Sequence, residues 1–535
     1  MGILDTAVIV VYLCVLVTMG IYFSRRQKTT EDYFLAGRNL PGWVVGFSIM
    51  GTIIGSVTFI GHPGEVFKTN MWSLPAHLAY PFVMVFVSVY IVSFYRRTIR
   101  MTAYKYLEMR FGYPVRAYGA TVFLFGHVLH LSVTFYFLAV AVGYMSGWDV
   151  WWVILFVGLA TVIYTLVGGI EAVAWSDVIQ GNLLVIGGLI CLGVVLFSSD
   201  AGPTAIVAKA WEGGKFSLGN WDFSWYEKNQ WFFVVGGILG ALGGLACDQS
   251  NVQRYLLART DKEAARAAYM GAVVCVPIWI LFMVIGALTW AFYELSTDPL
   301  PAEVLQQKDF IMPYFIKSQL PAGLVGLILA ALLAAAMSSI DSNLNAIALV
   351  VVNDFYVPLC PKSKDKQRLL LGKTVVVFFG VSSIIMAQQW IGIKSVIELS
   401  IVVGAMIPGG ILGVFALGFL FRWTTARGTY IGVAVSIIFN SWAAFTRIIL
   451  PGMETTLLDF GRFNYTLSPF VIGIFSLFVL MGVGMIASLL AGGPRPDTKD
   501  LTFWDVLERR REEALERVKK SKGQKVNSTP ETPLF

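Results

Sequence analysis

The sequence contains few charged residues, cysteines and histidines. Of its 535 residues, 14% are charged and 56% are hydrophobic, whereas a soluble domain has about 25% charged residues. A soluble globular protein is therefore excluded. The five cysteines and four histidines follow neither a disulfide pattern nor a metal-ligand spacing. The N-terminus also lacks the basic segment and cleavage site of a signal peptide, so we expect residues 4–23 to remain as a membrane span.

Hydrophobic runs of about 20 residues, the length that crosses a bilayer core, recur along the whole chain. About thirteen helical spans are predicted from hydropathy. They lie near residues 3–23, 42–61, 72–95, 118–145, 150–169, 173–198, 231–250, 267–293, 321–352, 373–390, 396–421, 428–446 and 467–492. Alternate loops hold 21 basic residues against nine in the others, and the tail adds ten. The positive-inside rule therefore predicts a multi-pass protein of the plasma (inner) membrane, with its N-terminus outside and its C-terminus in the cytoplasm.

Polar residues inside the predicted spans are mostly acids and serines. All 40 Lys and Arg residues are expected to lie outside the spans, whereas Asp177, Asp248 and Asp341 lie within spans or at their ends. A carboxylate costs about 2.5–3.5 kcal/mol to insert, so each needs a partner, which is either a hydrogen-bonded pair or a cation. Ser338, Asp341 and Ser342 share one helical face. Close helix packing would explain the serines, but the carboxylate of Asp341 favours a bound cation.

Glycines and hydroxyl-bearing residues run through the centre of the second span, at Gly46, Gly51, Thr52, Gly55, Ser56, Thr58 and Gly61. This pattern favours a helix that is interrupted in the membrane, where free carbonyl oxygens can bind a driving ion. A glycine packing seam between two helices is the alternative that the spacing leaves open. A second candidate interruption lies at Gly404 and 408–410.

Five segments, in order, resemble the sodium/solute symporter family, which includes sodium–glucose cotransporters and sodium–sialic acid symporters. They are TEDYFLAGRNLPGW (30–43), TAYKYLEMRFG (102–112), YTLVGGIEAVAWSDVIQG (164–181), DQSNVQRYLLA (248–258) and AAAMSSIDSNLNA (334–346). The resemblance implies an all-α membrane protein with leucine-transporter-like inverted five-helix repeats, one helix before the core and two after it. The expected units are a leading helix and loop at 1–41, a transport core at 42–426, additional spans at 427–492 and a cytoplasmic tail at 493–535.

The resemblance also implies ion and solute sites. The sodium site would use oxygens of five residues: Gly51, Ile54, Ala335, Ser338 and Ser339. A second sodium, as some relatives bind, would be held by Ser338, Asp341 and Ser342, with Asp177 close by. Asp341 stands where the sialic acid relatives carry a hydroxyl, so coupling to protons is an open alternative.

Seven polar residues are candidates for solute binding: Thr58, His77, His127, His130, Asp248, Gln249 and Ser400. His130 stands where sialic acid relatives have an arginine, and a neutral histidine cannot clamp a carboxylate with two parallel hydrogen bonds. Asp248 and Gln249 instead resemble the sugar branch of the family. Sugars, sugar acids and small carboxylates therefore all remain candidate solutes, and each of these side chains could instead serve helix packing.

We therefore expect a sodium-driven symporter that imports a small polar solute by alternating access. A proton-coupled symporter of the same fold is one alternative, and a transporter-like sensor or an intramembrane enzyme is another. No nucleophile motif flanks Ser338, and His127 and His130 lie on a distant span without signature spacing, so no enzymatic activity is expected. The expected partners are the solute, sodium and the lipid bilayer, with no cofactor, nucleic acid or protein partner.

Overall fold

The computed structural model describes residues 2–226, 229–297, 300–306, 310–391, 410–447, 456–468, 471–490 and 498–521. Within these ranges the chain is helical, and its β-structure is limited to an isolated parallel bridge between Leu40 and Ala258. Nine of the described helices are long and apolar enough to cross a membrane, and two bent pairs bring the number to eleven. The protein is therefore an all-α, multi-pass membrane protein.

The main helices are numbered along the chain. They are α1 (Ile3–Ser24), α2 (Gly42–Ile53), α3 (Ser56–Lys68), α4 (Leu74–Ile99), α5 (Ala103–Phe111), α6 (Tyr113–Ser146), α7 (Val150–Phe197), α8 (Gly202–Glu212), α9 (Gln230–Ala246), α10 (Gln249–Tyr255), α11 (Asp261–Leu295), α12 (Leu324–Leu359), α13 (Asp365–Gln388), α14 (Ile411–Leu420), α15 (Ala426–Phe445), α16 (Ile472–Leu490) and α17 (Phe503–Ser521). Shorter helices occupy Thr30–Leu35, Ala302–Gln306 and Ile311–Gln319.

Helix α7 consists of two helices that join at Gly169. A straight helix of its 48 residues would be about 72 Å long, more than twice the thickness of a bilayer core of about 30 Å. Gly169 has φ 57° and ψ −174°, a conformation that is open essentially to glycine alone. The chain folds back there, since Tyr164 OH donates a hydrogen bond to Ser176 Oγ at 2.6 Å. The two spans predicted at 150–169 and 173–198 are thus separate helices.

Two spans are interrupted by a break in the helix. The first break separates α2 from α3, which bend by 49° around the extended residues Ile54 and Gly55. This confirms the interruption that the glycines of the second span predicted. The second break separates α9 from α10 at Cys247 and Asp248, with a bend of 54°. The other candidate interruption, at Gly404 and 408–410, lies almost wholly outside the described residues.

The broken pairs occupy equivalent places in two sets of five spans. The first set comprises α2/α3, α4, α6 and the two halves of α7. The second comprises α9/α10, α11, α12, α13 and the predicted span near 396–421, of which the structure describes α14 at its end. A break in the first span of each set is what inverted repeats predict.

Helix α12 lies at the centre of the protein and carries the serine-rich face. It contacts α1, α6, α7 and α13, and 83% of its apolar window is buried, the largest share among the described spans. Ser338, Asp341 and Ser342 are at most 1% exposed. Their oxygens therefore face other helices and not lipid.

Both the loop between α7 and α9, which contains α8, and the tail are attached to the core. Lys215, which follows α8, donates hydrogen bonds to the carbonyls of Phe67 (2.7 Å) and Thr69 (3.0 Å) at the C-terminal end of α3. The tail helix α17 places the ring of Phe503 5.1 Å from Tyr90 on α4 and 6.0 Å from Phe419 on α14. The described part of the tail is thus a docked helix.

Candidate ion and solute site

The break between α2 and α3 lies directly against the serines of α12. A Cβ atom added at Gly51 would lie 2.7 Å from Ser338 Oγ, and one added at Gly55 would lie 2.8 Å from Ser339 Oγ. Only glycine permits these approaches. Because the last four carbonyls of a helix have no partner within it, the end of α2 presents free oxygens at this point.

A small cavity occupies the same junction. It has a volume of about 10 Å³, and Gly51, Ile54, Gln180, Ala335 and Ser338 are among the residues that line it. A single water needs about 10–15 Å³, so the cavity is of the order of one small ligand atom or ion. The structure therefore brings together the predicted oxygen donors Gly51, Ile54, Ala335 and Ser338, with Ser339 beside them.

Asp177 lies on α7 beside this junction, and several hydrogen-bond donors surround its carboxylate. Ser338 Oγ donates a short hydrogen bond to one of its carboxylate oxygens, and Ser48 Oγ donates to the other. Arg254 Nη2 lies 3.5 Å from that second oxygen. Asp177 is 0% exposed, so these contacts replace water as the partners of its charge.

Arg254 corrects the prediction that all Lys and Arg residues lie outside the spans. It is 0% exposed, and its Nε and Nη1 donate to Ser48 O (3.1 Å) and Ser250 O (2.6 Å). Hydropathy ended this span near residue 250, although α10 continues inside the protein to Tyr255. The partners of Asp177 are therefore a guanidinium and two hydroxyls, so the structure favours the hydrogen-bonded pair over a bound cation for this carboxylate.

The carboxylate of Asp341, in contrast, has few hydrogen-bond partners. Its Oδ1 lies 3.4 Å from Ser342 Oγ, whose single hydrogen is used at 2.5 Å by the carbonyl of Ser338. Its Oδ2 is buried and accepts no hydrogen bond from the described residues. Arg254 Nη2 donates to Ser342 Oγ, which places one guanidinium among two carboxylates. The cluster can therefore accept one further positive charge when both carboxylates are ionised.

His127 and Asp248 form a second polar group, at the break between α9 and α10. His127 Nε2 lies 3.1 Å from Asp248 Oδ2 and 3.0 Å from Ser250 Oγ. Ser250 Oγ donates in turn to Asn343 Oδ1 at 2.8 Å. With the hydroxyl hydrogen used there, Nε2 of His127 carries a hydrogen and donates it to this oxygen pair.

His130 belongs to the same face of α6. Phe125, at 62% exposure, marks the side of α6 that faces lipid. His127 and His130 are rotated by about 160° and 140° from it around an ideal helix. His130 is nevertheless exposed, and its ring centroid lies 6.5 Å from that of His127.

The remaining solute candidates have other surroundings. Gln249 Oε1 accepts a hydrogen bond from Ala103 N at 2.7 Å, at the start of α5. His77 Nδ1 lies 2.8 Å from Ser73 O, and its ring centroid is 4.4 Å from that of Trp279. Thr58 is buried in the first turn of α3. Ser400 lies outside the described residues.

Four residues of these two groups were not predicted from the sequence: Ser48, Ser250, Arg254 and Asn343. Three of them lie within segments that carry the family resemblance or directly beside its serines. Ser250 and Arg254 belong to DQSNVQRYLLA, which was assigned to a span end and a loop. The presence of Arg254 in a segment that is characteristic of the family was the signal that could have predicted a buried arginine.

Comparison with known proteins agrees with this architecture. Residues 33–436 match the model of the sodium:solute symporter family. The chain is 30% identical to the sodium/sialic acid symporter NanT of Aliivibrio fischeri, over 82% of this chain and 88% of that protein. It is 28% identical to human sodium-coupled monocarboxylate transporter 2, over 81% of this chain and 71% of that protein.

Solved structures agree as well. A Na+-coupled sialic acid symporter, in its substrate-bound outward-open state, has a TM-score of 0.82 at 29% identity and covers 92% of this chain and 99% of its own. Mhp1, a nucleobase-cation-symport-1 family transporter, has a TM-score of 0.53 at 14% identity, covers 88% and 97% of the two chains, and shares the fold alone. The relatives are transporters and not enzymes, and this chain belongs to the sodium:solute symporter family.

Proposed function

We propose that this protein uses the inward movement of sodium to import a small polar organic solute by alternating access. The observation that carries the proposal is the contact between the end of α2 and the serines of α12, where Gly51 lies against Ser338 and Gly55 against Ser339. Sodium prefers oxygen ligands, and unwound carbonyls opposite hydroxyls are how transporters of this kind hold a driving ion.

In the proposed cycle, sodium enters from outside and binds the carbonyl oxygens of Gly51, Ile54 and Ala335 and the hydroxyls of Ser338 and Ser339. It thereby links the broken helix to α12 and stabilises the outward-facing state. The N-terminus is outside and the C-terminus is in the cytoplasm in this scheme. Moving one charge across about 100 mV supplies about 2.3 kcal/mol, which is enough for more than tenfold accumulation of solute.

A second cation is proposed for the oxygens around Asp341. The free Oδ2 of this carboxylate and its net negative surroundings favour a positive partner. Ser338 and Ser342 would complete the ligand set, and Asp177 would act through its bond to Ser338. A proton on Asp341 is the alternative, and replacing sodium by choline at fixed pH separates the two.

The solute is proposed to bind beside His127, His130 and Asp248, near the two breaks. Relatives are described as transporters of sialic acid and of monocarboxylates, and the candidate classes are sugars, sugar acids and small carboxylates. Transporters of this fold bind their substrates where broken helices meet near the midplane. Asp248 lies at one break, and its side chain is 24% exposed.

The test is sodium-dependent stabilisation and uptake by the purified protein. Ser338→Ala/Ser339→Ala should abolish the rise in melting temperature on adding sodium, and sodium-driven uptake into proteoliposomes across a panel of these solutes. Ser382→Ala/Ser383→Ala on α13 is the matched control, because its hydroxyls bond only to carbonyls of their own helix. Undiminished sodium response in the first variant would contradict the proposed site.

A further inference from the structure

The pair formed by His127 and Asp248 is rich in hydrogen-bond acceptors. Asp248 Oδ1 accepts from Ser250 N at 2.7 Å, and Oδ2 receives the Nε2 hydrogen of His127. A carboxylate has about four lone-pair positions, so further positions stay free on its exposed side. In the neutral His127, Nδ1 adds another acceptor.

The basic residue nearest in sequence directs its hydrogen-bond donors to groups other than the carboxylate of Asp248. Arg254, one turn and a half along α10, directs its donors to Ser48, Ser250 and Ser342 and faces Asp177. Among the described residues, the ion pair recorded for Asp248 is the one with His127. The exposed side of Asp248, whose side chain is 24% exposed, therefore presents negative charge close to His127 and His130.

A solute carboxylate beside this pair would be repelled by the charge of Asp248. The unprotonated nitrogen of His127 would offer it no hydrogen-bond donor. Hydroxyl groups complement the same surface, because each supplies one hydrogen and can accept another from a histidine. We infer that the solute of this transporter is a neutral, hydroxyl-rich molecule such as a sugar or polyol, selected over carboxylates by Asp248 and His127. The inference rests on the proposed function and differs from the acids named for the relatives.

Asp248→Asn is the decisive variant. It removes the charge and half of the acceptor capacity but keeps the size of the side chain. Asp248 also caps α10 through Ser250 N, and asparagine caps helices as well as aspartate does. Asp149→Asn, the same change at the cap of α7, is the matched control.

The measurement is competition for sodium-driven uptake in proteoliposomes, with pairs that differ at one carbon: glucose and glucuronate, galactose and galacturonate. The wild type and Asp149→Asn should prefer at least one neutral member over its acid by tenfold or more. Asp248→Asn should reduce that ratio at least tenfold, while sodium-dependent stabilisation of the protein stays as in the wild type.

The outcomes distinguish the inference about the solute from the proposed sodium-driven symport. Preferred uptake of the uronates, or of lactate, by the wild type would overturn the inference and leave sodium-driven symport intact. An unchanged ratio in Asp248→Asn would also overturn it. Absence of any sodium-dependent uptake or stabilisation would overturn the proposed function itself.

Discussion

Replacing Arg254 with methionine is expected to destabilise the protein strongly. The guanidinium is 0% exposed and is held by Ser48, Ser250 and Ser342 beside Asp177. Methionine fills similar volume but supplies no donor, so the buried carboxylates lose their positive neighbour. Removing one partner of a buried ion pair costs about 3–5 kcal/mol, and we expect a loss in that range.

A double-mutant cycle isolates the ionic part of this loss. Asp177→Asn removes the facing charge, so Arg254→Met/Asp177→Asn should cost less than the sum of the single variants by about 1–3 kcal/mol. Adding Asp341→Asn should recover further stability, because no unpaired carboxylate then remains in the cluster. The free energy of unfolding can be followed by titration of the detergent-solubilised protein with SDS.

An exposed arginine provides the control. The side chain of Arg26 is 57% exposed and lies 3.8 Å from Glu171. Replacing Arg26 with methionine should therefore lower the free energy of unfolding by at most about 1 kcal/mol. If Arg254→Met were as mild as Arg26→Met, or if the cycle were additive, the guanidinium would not be the charge partner of the cluster and the reasoning would fail.

Three further predictions concern contacts elsewhere in the protein. Gly51→Ala should cost about 1–3 kcal/mol and weaken sodium-dependent stabilisation at least tenfold, while Gly193→Ala, whose added Cβ meets nothing within 4 Å, should do neither. Burial raises the pKa of Glu108, but hydrogen bonds from Lys105 and Arg116 outweigh this effect and hold the pKa below its usual value. Glu108→Gln should therefore lower the stability measured by thermal unfolding above about pH 4.5, and this loss should vanish as the pH falls through the lowered pKa. Phe503→Ala should lower the melting temperature through lost ring contacts, whereas Leu515→Ala, 53% exposed, should change stability by under about 0.5 kcal/mol.

Much of the fold follows from local properties of the sequence. A run of about 20 apolar residues indicates a membrane span independently of the rest of the sequence. Hydropathy therefore predicted the spans that the structure describes. The break at Ile54 and Gly55 was predictable because glycine and hydroxyl residues cluster at it. The serine face of α12 was readable because its residues are three and four positions apart.

The second break and the buried arginine were not predictable in this way. The glycines of α9 lie within a regular helix, and the chain leaves it at Cys247 and Asp248, which carry no such signal. The position of Arg254 depends on contacts with residues that are 88 and 206 positions away. Periodicity and hydropathy describe one helix at a time, so they contain no information on such pairs.

Two hydrogen bonds connect the loop between α7 and α9 to α3, so a surface label can report on the interior. Lys215 ties the loop to the last carbonyls of the helix that begins at the proposed sodium site. A fluorophore on the loop, for instance in place of Trp211, which is 73% exposed, would be carried along by any tilt of α3. Ion occupancy deep in the bilayer could then be monitored optically from the surface of the protein, with no label in the transport path.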